Sequence, residues 1–325
     1  MFSELFSIRW CSKSTFWVSD MKRLHIAIVG AGGVGGYLAA KLAQRDLADL
    51  KLFARGAHLE AIRKEGLEVE ENGETFTVHP DTSAPESGEE FDVVFLCVKS
   101  YDFGSACESV REHIGKETLV IPLSNGVGHR EEIARYLHEG IICDGCVYVI
   151  SHVKSAGKIV KKGANFYLIF GAERITPKMR QLSEVLTQSG LKNKLSEDAA
   201  YDCWKKYLFI ATFASLTSYR KKPMDQVFKE HEEEVHELLA EIKKVANALG
   251  VPISDKDVAK VIQQAQNLPP HSKTSMQLDF EAGKKTELES LSGYIVKEGE
   301  KAGVDTPLMR RIYGLLSVAE KIREF

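Results

Sequence analysis

The sequence predicts an α/β N-terminal Rossmann-type domain, built on a mostly parallel sheet, followed by an all-α C-terminal domain. Three observations carry this. An apolar run at residues 24–29, a glycine-rich turn at 30–35 and a small-residue amphipathic segment at 36–42 follow one another as strand, turn and helix. Further apolar, β-rich runs recur up to about residue 195. From Ser196 onward the periodicity is helical. The expected organisation is an extension over 1–20, a dinucleotide-binding domain over 21–195 and a helical catalytic domain over 196–325. A chain of 325 residues with 44% apolar residues can fill two cores.

The first strand runs into Gly30-Ala31-Gly32-Gly33-Val34-Gly35. In such a loop Gly30 permits the tight turn, Gly32 lets backbone approach a pyrophosphate, and Gly35 lets the helix pack on its strand. The helix N-terminus then points at the anion. Gly30, Ala31, Gly32, Gly33, Val34 and Gly35 are therefore expected to bind a dinucleotide. A second strand at 50–54 ends at Arg55, where an Asp or Glu would accept from the ribose hydroxyls of NAD. An arginine fork suits a 2′-phosphate instead, so NADP(H) is the expected cofactor.

A helix follows at 58–65, then alternating segments at 67–70 and 75–78 around Asn72-Gly73, which predict a β-hairpin. Residues 91–98 read as a buried parallel strand with Lys99 at its end, and 118–122 as another, leading to Ser124-Asn125-Gly126. Polar groups at the carboxyl ends of parallel strands face the ligand crevice, which marks Lys99 and Asn125. Strands at 141–150 and 158–170 and a helix at 176–189 complete this part. Helices are then expected at 198–217, 229–249, 256–267, from about 272, and at 308–323, with stops at Gly250-Val251-Pro252 and around Gly303 and Pro307.

The net charge of -3 gives no global field for nucleic acid or anionic lipid. No stretch has the length and apolarity of a membrane span, and the first twenty residues lack the apolar core of a secretory signal. Six cysteines in a chain of this length fit small core residues in a reducing cytoplasm. Cys143 and Cys146 have redox-motif spacing but lack a second ligand pair, and the scattered histidines do not cluster, so no metal is expected.

Taken together, these residues resemble the ketopantoate reductase (2-dehydropantoate 2-reductase) family. The marks are the glycine loop, Phe53-Ala54-Arg55, Val98-Lys99, Ser124-Asn125-Gly126, Trp204-Lys205-Lys206, Thr274-Ser275-Met276 with Asp279, Glu281-Ala282-Gly283 and Thr286-Glu287-Leu288. The resemblance implies NADPH-dependent reduction of a 2-keto acid, ketopantoate first, as in pantothenate biosynthesis. It implies that Lys206 is the proton donor, a role that suits an ammonium beside a developing alkoxide. Glu287 would contact the nicotinamide ribose or substrate and hold the lysine. Ser275 would receive the substrate carboxylate, unless it merely caps a helix. Asn125 would meet cofactor and substrate, and Lys99 with Arg55 would lie near the adenosine phosphate. A small-molecule substrate is the expected partner, and a homodimer stays open.

One face departs from the resemblance. The family's lysine is followed at four and eight residues by substrate-binding asparagines, where this chain has Ile210 and Ala214, and a third falls at Met224. The i, i+4, i+8 spacing places Lys206, Ile210 and Ala214 on one helix face. Two alternatives follow: reduction of a less polar 2-keto acid, or a catalytically weak NADP-binding regulatory protein. A hydroxyacid or polyol dehydrogenase of another kind fits less well, since the marks here are Lys206 and Glu287 rather than a catalytic histidine or metal cluster.

Overall fold

The computed structural model describes residues 22–323, so the extension expected over 1–20 lies outside the described residues. The chain opens with β1 (His25–Val29), α1 (Gly33–Arg45), β2 (Asp49–Phe53) and α2 (Gly56–Glu65). The hairpin of β3 (Leu67–Glu71) and β4 (Glu74–Val78) turns at Asn72 and Gly73, whose φ values of 53° and 84° suit the left-handed turn that joins twisted strands. Next come β5 (Phe91–Leu96), α3 (Phe103–Glu108), β6 (Ile114–Pro122), α4 (His129–Ile133) and β7 (Ile141–Ile142). They are followed by β8 (Asp144–Ser155), β9 (Lys158–Gly171), α5 (Pro177–Gln188) and β10 (Asn193–Leu195).

The remainder is helical. α6 (Ala199–Arg220) is followed by α7 (Met224–Glu230), α8 (Glu232–Ala248), α9 (Asp255–Gln266) and α10 (Ser275–Glu281). A π-helical turn at Glu289–Gly293 then leads into α11 (Tyr294–Ala302) and α12 (Pro307–Arg323). The single helix expected over 229–249 is two helices. The chain breaks at His231, with φ -134°, and Glu232, Glu233 and Glu234 open α8, where acidic groups favour the positive end of the helix dipole.

Two sheets form. The first has the order β2-β1-β5-β6-β7, every pairing parallel, as the near-continuous apolar runs of its inner strands require. The second has the order β10-β9-β3-β4, with β8 antiparallel on β9. The sequence locates these strands but does not reveal that they leave the first sheet, because their partners are distant in the chain.

Helix α1 lies between the two sheets. A Cβ on Gly33 would come within 2.5 Å of the Ser151 carbonyl oxygen, and one on Gly36 within 2.9 Å of Ile159, so both glycines permit close approach to the second sheet. The strands of that sheet alternate in what they bury. Val147, Phe166, Leu168 and Phe170 join the core around α1, whereas Cys146 and Ile169 join the core around α6. The second sheet is thus the platform on which the helical part rests. It also separates Cys143 from Cys146, since Cys143 belongs to the α1 core.

Candidate active site

At the carboxyl end of β1 the surface is backbone. Gly30 has φ 104° and donates its N–H to the Phe53 carbonyl at 3.0 Å, closing the turn between β1 and α1. A Cβ on Gly35 would lie 2.0 Å from the Gly30 carbonyl oxygen and 2.7 Å from Cys97 Cβ, so only glycine fits there. Gly32 is the opposite case, with no atom within 4 Å of an added Cβ. It caps α1 with backbone alone: no side chain accepts from the first turn, and no acidic residue stands in it. Open space beside uncapped N–H groups is the arrangement that accommodates a diphosphate. Ala31 is buried and Val34 half-buried against the α1 core. Arg55 stands exposed beyond β2 as the N-cap of α2, one nitrogen donating to Ser105 Oγ at 3.0 Å.

At the Lys206 end the surface is made by side chains from both parts of the molecule. Asn125 follows β6 in a loop that turns at Gly126 (φ 123°) and Gly128 (φ 74°). Its Oδ1 accepts from Lys206 Nζ at 2.8 Å, across 81 residues of sequence. Nζ also stands 5.7 Å from the centre of the Tyr148 ring. Desolvation lowers the pKa of Lys206 below its ordinary value, opposed in part by the neighbouring Cys146, Cys203 and Glu287. Lys205 turns away, as its position one residue along a helix requires, to an ion pair with Asp202 at 2.7 Å and the Tyr201 ring at 4.5 Å.

Lys99 stands just beyond β5 and reaches across to the helical part. It donates to Glu287 Oε2 at 2.7 Å and Asp279 Oδ2 at 3.1 Å. Burial alone would lower its pKa, but the two carboxylates outweigh burial and raise it. Here the geometry differs from what the resemblance implies. Glu287, only 2% exposed, bonds Lys99, while Asn125 holds Lys206 and Glu287 acts on that lysine only through longer-range attraction. Lys99 is correspondingly engaged with two carboxylates. A further bridge joins Ser100 Oγ to Ser290 Oγ in the π-helical turn at 2.9 Å.

Ser275 is the first residue of α10 and is exposed. The capping role belongs to Thr274, whose hydroxyl accepts from the Gln277 N–H, so the alternative that Ser275 caps the helix is set aside. Ile210 is half-buried on the same face of α6 as Lys206, Ala214 is buried, and Met224 is half-buried at the start of α7.

Three residues near this end were not marked by the sequence reading as site residues. Asp279 lies one turn after Ser275 on α10, a spacing that could have flagged it. Tyr148 reads as one more aromatic in a strand. His129 reads as a polar residue opening α4, yet it is 7% exposed, its Cε1 would sit 2.8 Å from a Cβ on Gly126, and its Nε2 has no hydrogen-bond partner among the described residues. Burial holds its pKa down at about 4, against the raising effect of the Ser124 and Asn125 backbone and with the help of Lys206.

Residues 26–174 match the family described as ketopantoate reductase PanE/ApbA, and residues 198–320 its C-terminal counterpart. An uncharacterised oxidoreductase of Bacillus subtilis is 30% identical over 90% of this chain and 98% of its own length. A 2-dehydropantoate 2-reductase of Archaeoglobus fulgidus is 29% identical over 92% of this chain and 99% of its own. The crystal structure of 2-dehydropantoate 2-reductase from Porphyromonas gingivalis superposes with a TM-score of 0.80 at 30% identity, covering 91% of this chain and 100% of that one.

Proposed function

The chain belongs to the ketopantoate reductase family, an oxidoreductase family that uses a nicotinamide cofactor, and from that premise we propose that it catalyses NADPH-dependent reduction of a 2-keto acid to the 2-hydroxy acid. Ketopantoate, reduced to pantoate for pantothenate synthesis, is the first substrate to test. The observation that carries this reading is the Lys206–Asn125 hydrogen bond, which brings an ammonium from α6 to the carboxyl end of β6.

The cofactor is assigned to the loop Gly30, Ala31, Gly32, Gly33, Val34 and Gly35, with Arg55 receiving the 2′-phosphate as a planar donor. When bound, the nicotinamide cofactor supplies a hydride to the keto carbon. Lys206 polarises the carbonyl, and as the C=O π pair moves onto oxygen its Nζ donates the proton that completes the hydroxyl. The lysine is then reprotonated from solvent. Its depressed pKa makes the ammonium a stronger acid.

Asn125 holds the ammonium and leaves its amide N–H groups to the reactants. Glu287, with Asp279, neutralises Lys99 and sets the local field. Ser275, exposed as the first residue of α10, is the residue assigned to the substrate carboxylate.

The test is NADPH oxidation, followed by absorbance, with ketopantoate and a series of 2-keto acids. Turnover with at least one of them, lost in Lys206→Ala, is the expected result. Tight NADPH binding with no turnover on any of them would instead favour a cofactor-binding regulator.

A further inference from the structure

One turn beyond Lys206, α6 presents hydrocarbon side chains. Most of this helix is buried, but Phe209 and Ile210, three and four residues on and therefore on the lysine's face, are only half-covered. Opposite, on the face of the second sheet that meets α6, Tyr148 and Tyr167 pair across β8 and β9 with ring centres 6.3 Å apart, and Tyr167 is 37% exposed. The Lys206 ammonium sits at the edge of this patch, 5.7 Å from the Tyr148 ring.

Three of the hydroxyls further along α6 are committed elsewhere, and a fourth, on Ser218, is buried about three turns beyond Lys206. Thr212 donates to the Leu208 carbonyl at 2.8 Å, Ser215 bonds Ser292 at 2.7 Å inside the core, and Thr217 bonds Thr274 at 2.9 Å. Arg220 is occupied by Glu234. A substrate hydroxyl carried against Phe209 and Ile210 would exchange water for carbon and lose its hydrogen bonds, whereas an apolar group would gain by leaving water.

Resting on the proposed reduction at Lys206, we infer that the preferred substrate is a 2-keto acid whose side chain is apolar, aromatic or branched aliphatic, with no hydroxyl beyond the keto group. Phe209, Ile210 and Tyr148 form the wall that selects it. The keto oxygen meets Lys206 and Asn125, and the side chain lies along the hydrocarbon patch. Ile210 is the specificity-determining residue because it stands one turn beyond the proton donor.

The experiment compares kcat/KM for phenylpyruvate and 4-methyl-2-oxopentanoate with that for ketopantoate, all with saturating NADPH. The apolar acids are expected to be favoured by about tenfold to a hundredfold, the upper figure being the scale on which an apolar pocket rejects an added hydroxyl. Ile210→Asn should lower that ratio by about tenfold or more with the KM for NADPH unchanged. Inhibition of the unmodified enzyme by product analogues, phenyllactate against pantoate, gives a readout that does not depend on a variant folding, and phenyllactate should bind more tightly. A wild-type ratio at or below one, or pantoate binding more tightly than phenyllactate, overturns the inference while leaving the reduction intact. Failure to reduce any 2-keto acid overturns both.

Discussion

The two ends of the crevice are built from different materials. At the glycine loop, residues close in sequence shape a surface of backbone N–H groups, and the constraint on each position is steric. At the Lys206 end, the surface is made by side chains brought together from 81 to 188 residues apart, and the constraint is electrostatic. A backbone site tolerates neighbouring sequence change as long as its glycines remain. A side-chain site can keep its proton donor and still change its substrate, because the donor and its neighbours, such as Lys206 and Ile210, are separate side chains.

The steepest test of the steric end is Gly35→Ala. Its Cβ would meet the Gly30 carbonyl at 2.0 Å, backbone against backbone, so the variant should lose about 3 kcal/mol or more of stability in chemical denaturation. A stability equal to that of the unmodified protein would show that the loop is looser than its contacts require.

A comparable effect is expected at the electrostatic end through His129. Its pKa of about 4 in the fold lies below the ordinary 6.5, so within that window the unfolded chain holds a proton that the folded chain does not. Stability should be fully present above about pH 6.5 and fall as pH drops toward 4, by up to about 3 kcal/mol from this group. Denaturation midpoints of the unmodified protein and His129→Gln, compared across that range, isolate the contribution. Parallel pH profiles for the two would remove His129 from the account.

Smaller effects separate cofactor choice from folding. Arg55→Ala should weaken NADPH by about tenfold and NADH by less than about twofold, since only a 2′-phosphate uses the guanidinium. Equal loss for both cofactors would place Arg55 elsewhere. Gly32→Ala is the mildest. With nothing within 4 Å of the new methyl group, its stability should change by less than about 0.5 kcal/mol, while NADPH affinity falls several-fold because the methyl occupies ligand space.

The contrast also explains what the sequence could reveal. Gly30 through Gly35, the Asn72-Gly73 hairpin and the strand ending before Lys99 are local patterns, and the structure contains each of those elements. The second sheet was not legible, because β9 joins β3 and β10 through pairings distant in the chain. Nor was the π-helical turn at Glu289–Gly293, which supplies Ser290 to Ser100. At the Lys206 end, strand-end position marked Lys99 and Asn125 and the family resemblance marked Lys206 and Glu287, but the pairing of Lys99 with Glu287 was not foreseen. Which carboxylate meets which lysine depends on how the ends of β5 and β6 lie against α6 and α10, and no short-range signal carries that.

Lys206, held by Asn125 at the junction of the two parts, is the proposed proton donor. Measuring kcat and NADPH affinity together in Lys206→Ala tests it most directly. The expected result is a fall in kcat of about 10³-fold, an NADPH Kd changed by less than about threefold, and loss of an alkaline limb that in the unmodified enzyme lies below the ordinary lysine pKa of 10.5. A variant that turns over within about tenfold of the unmodified enzyme, with that alkaline limb still present, would contradict it.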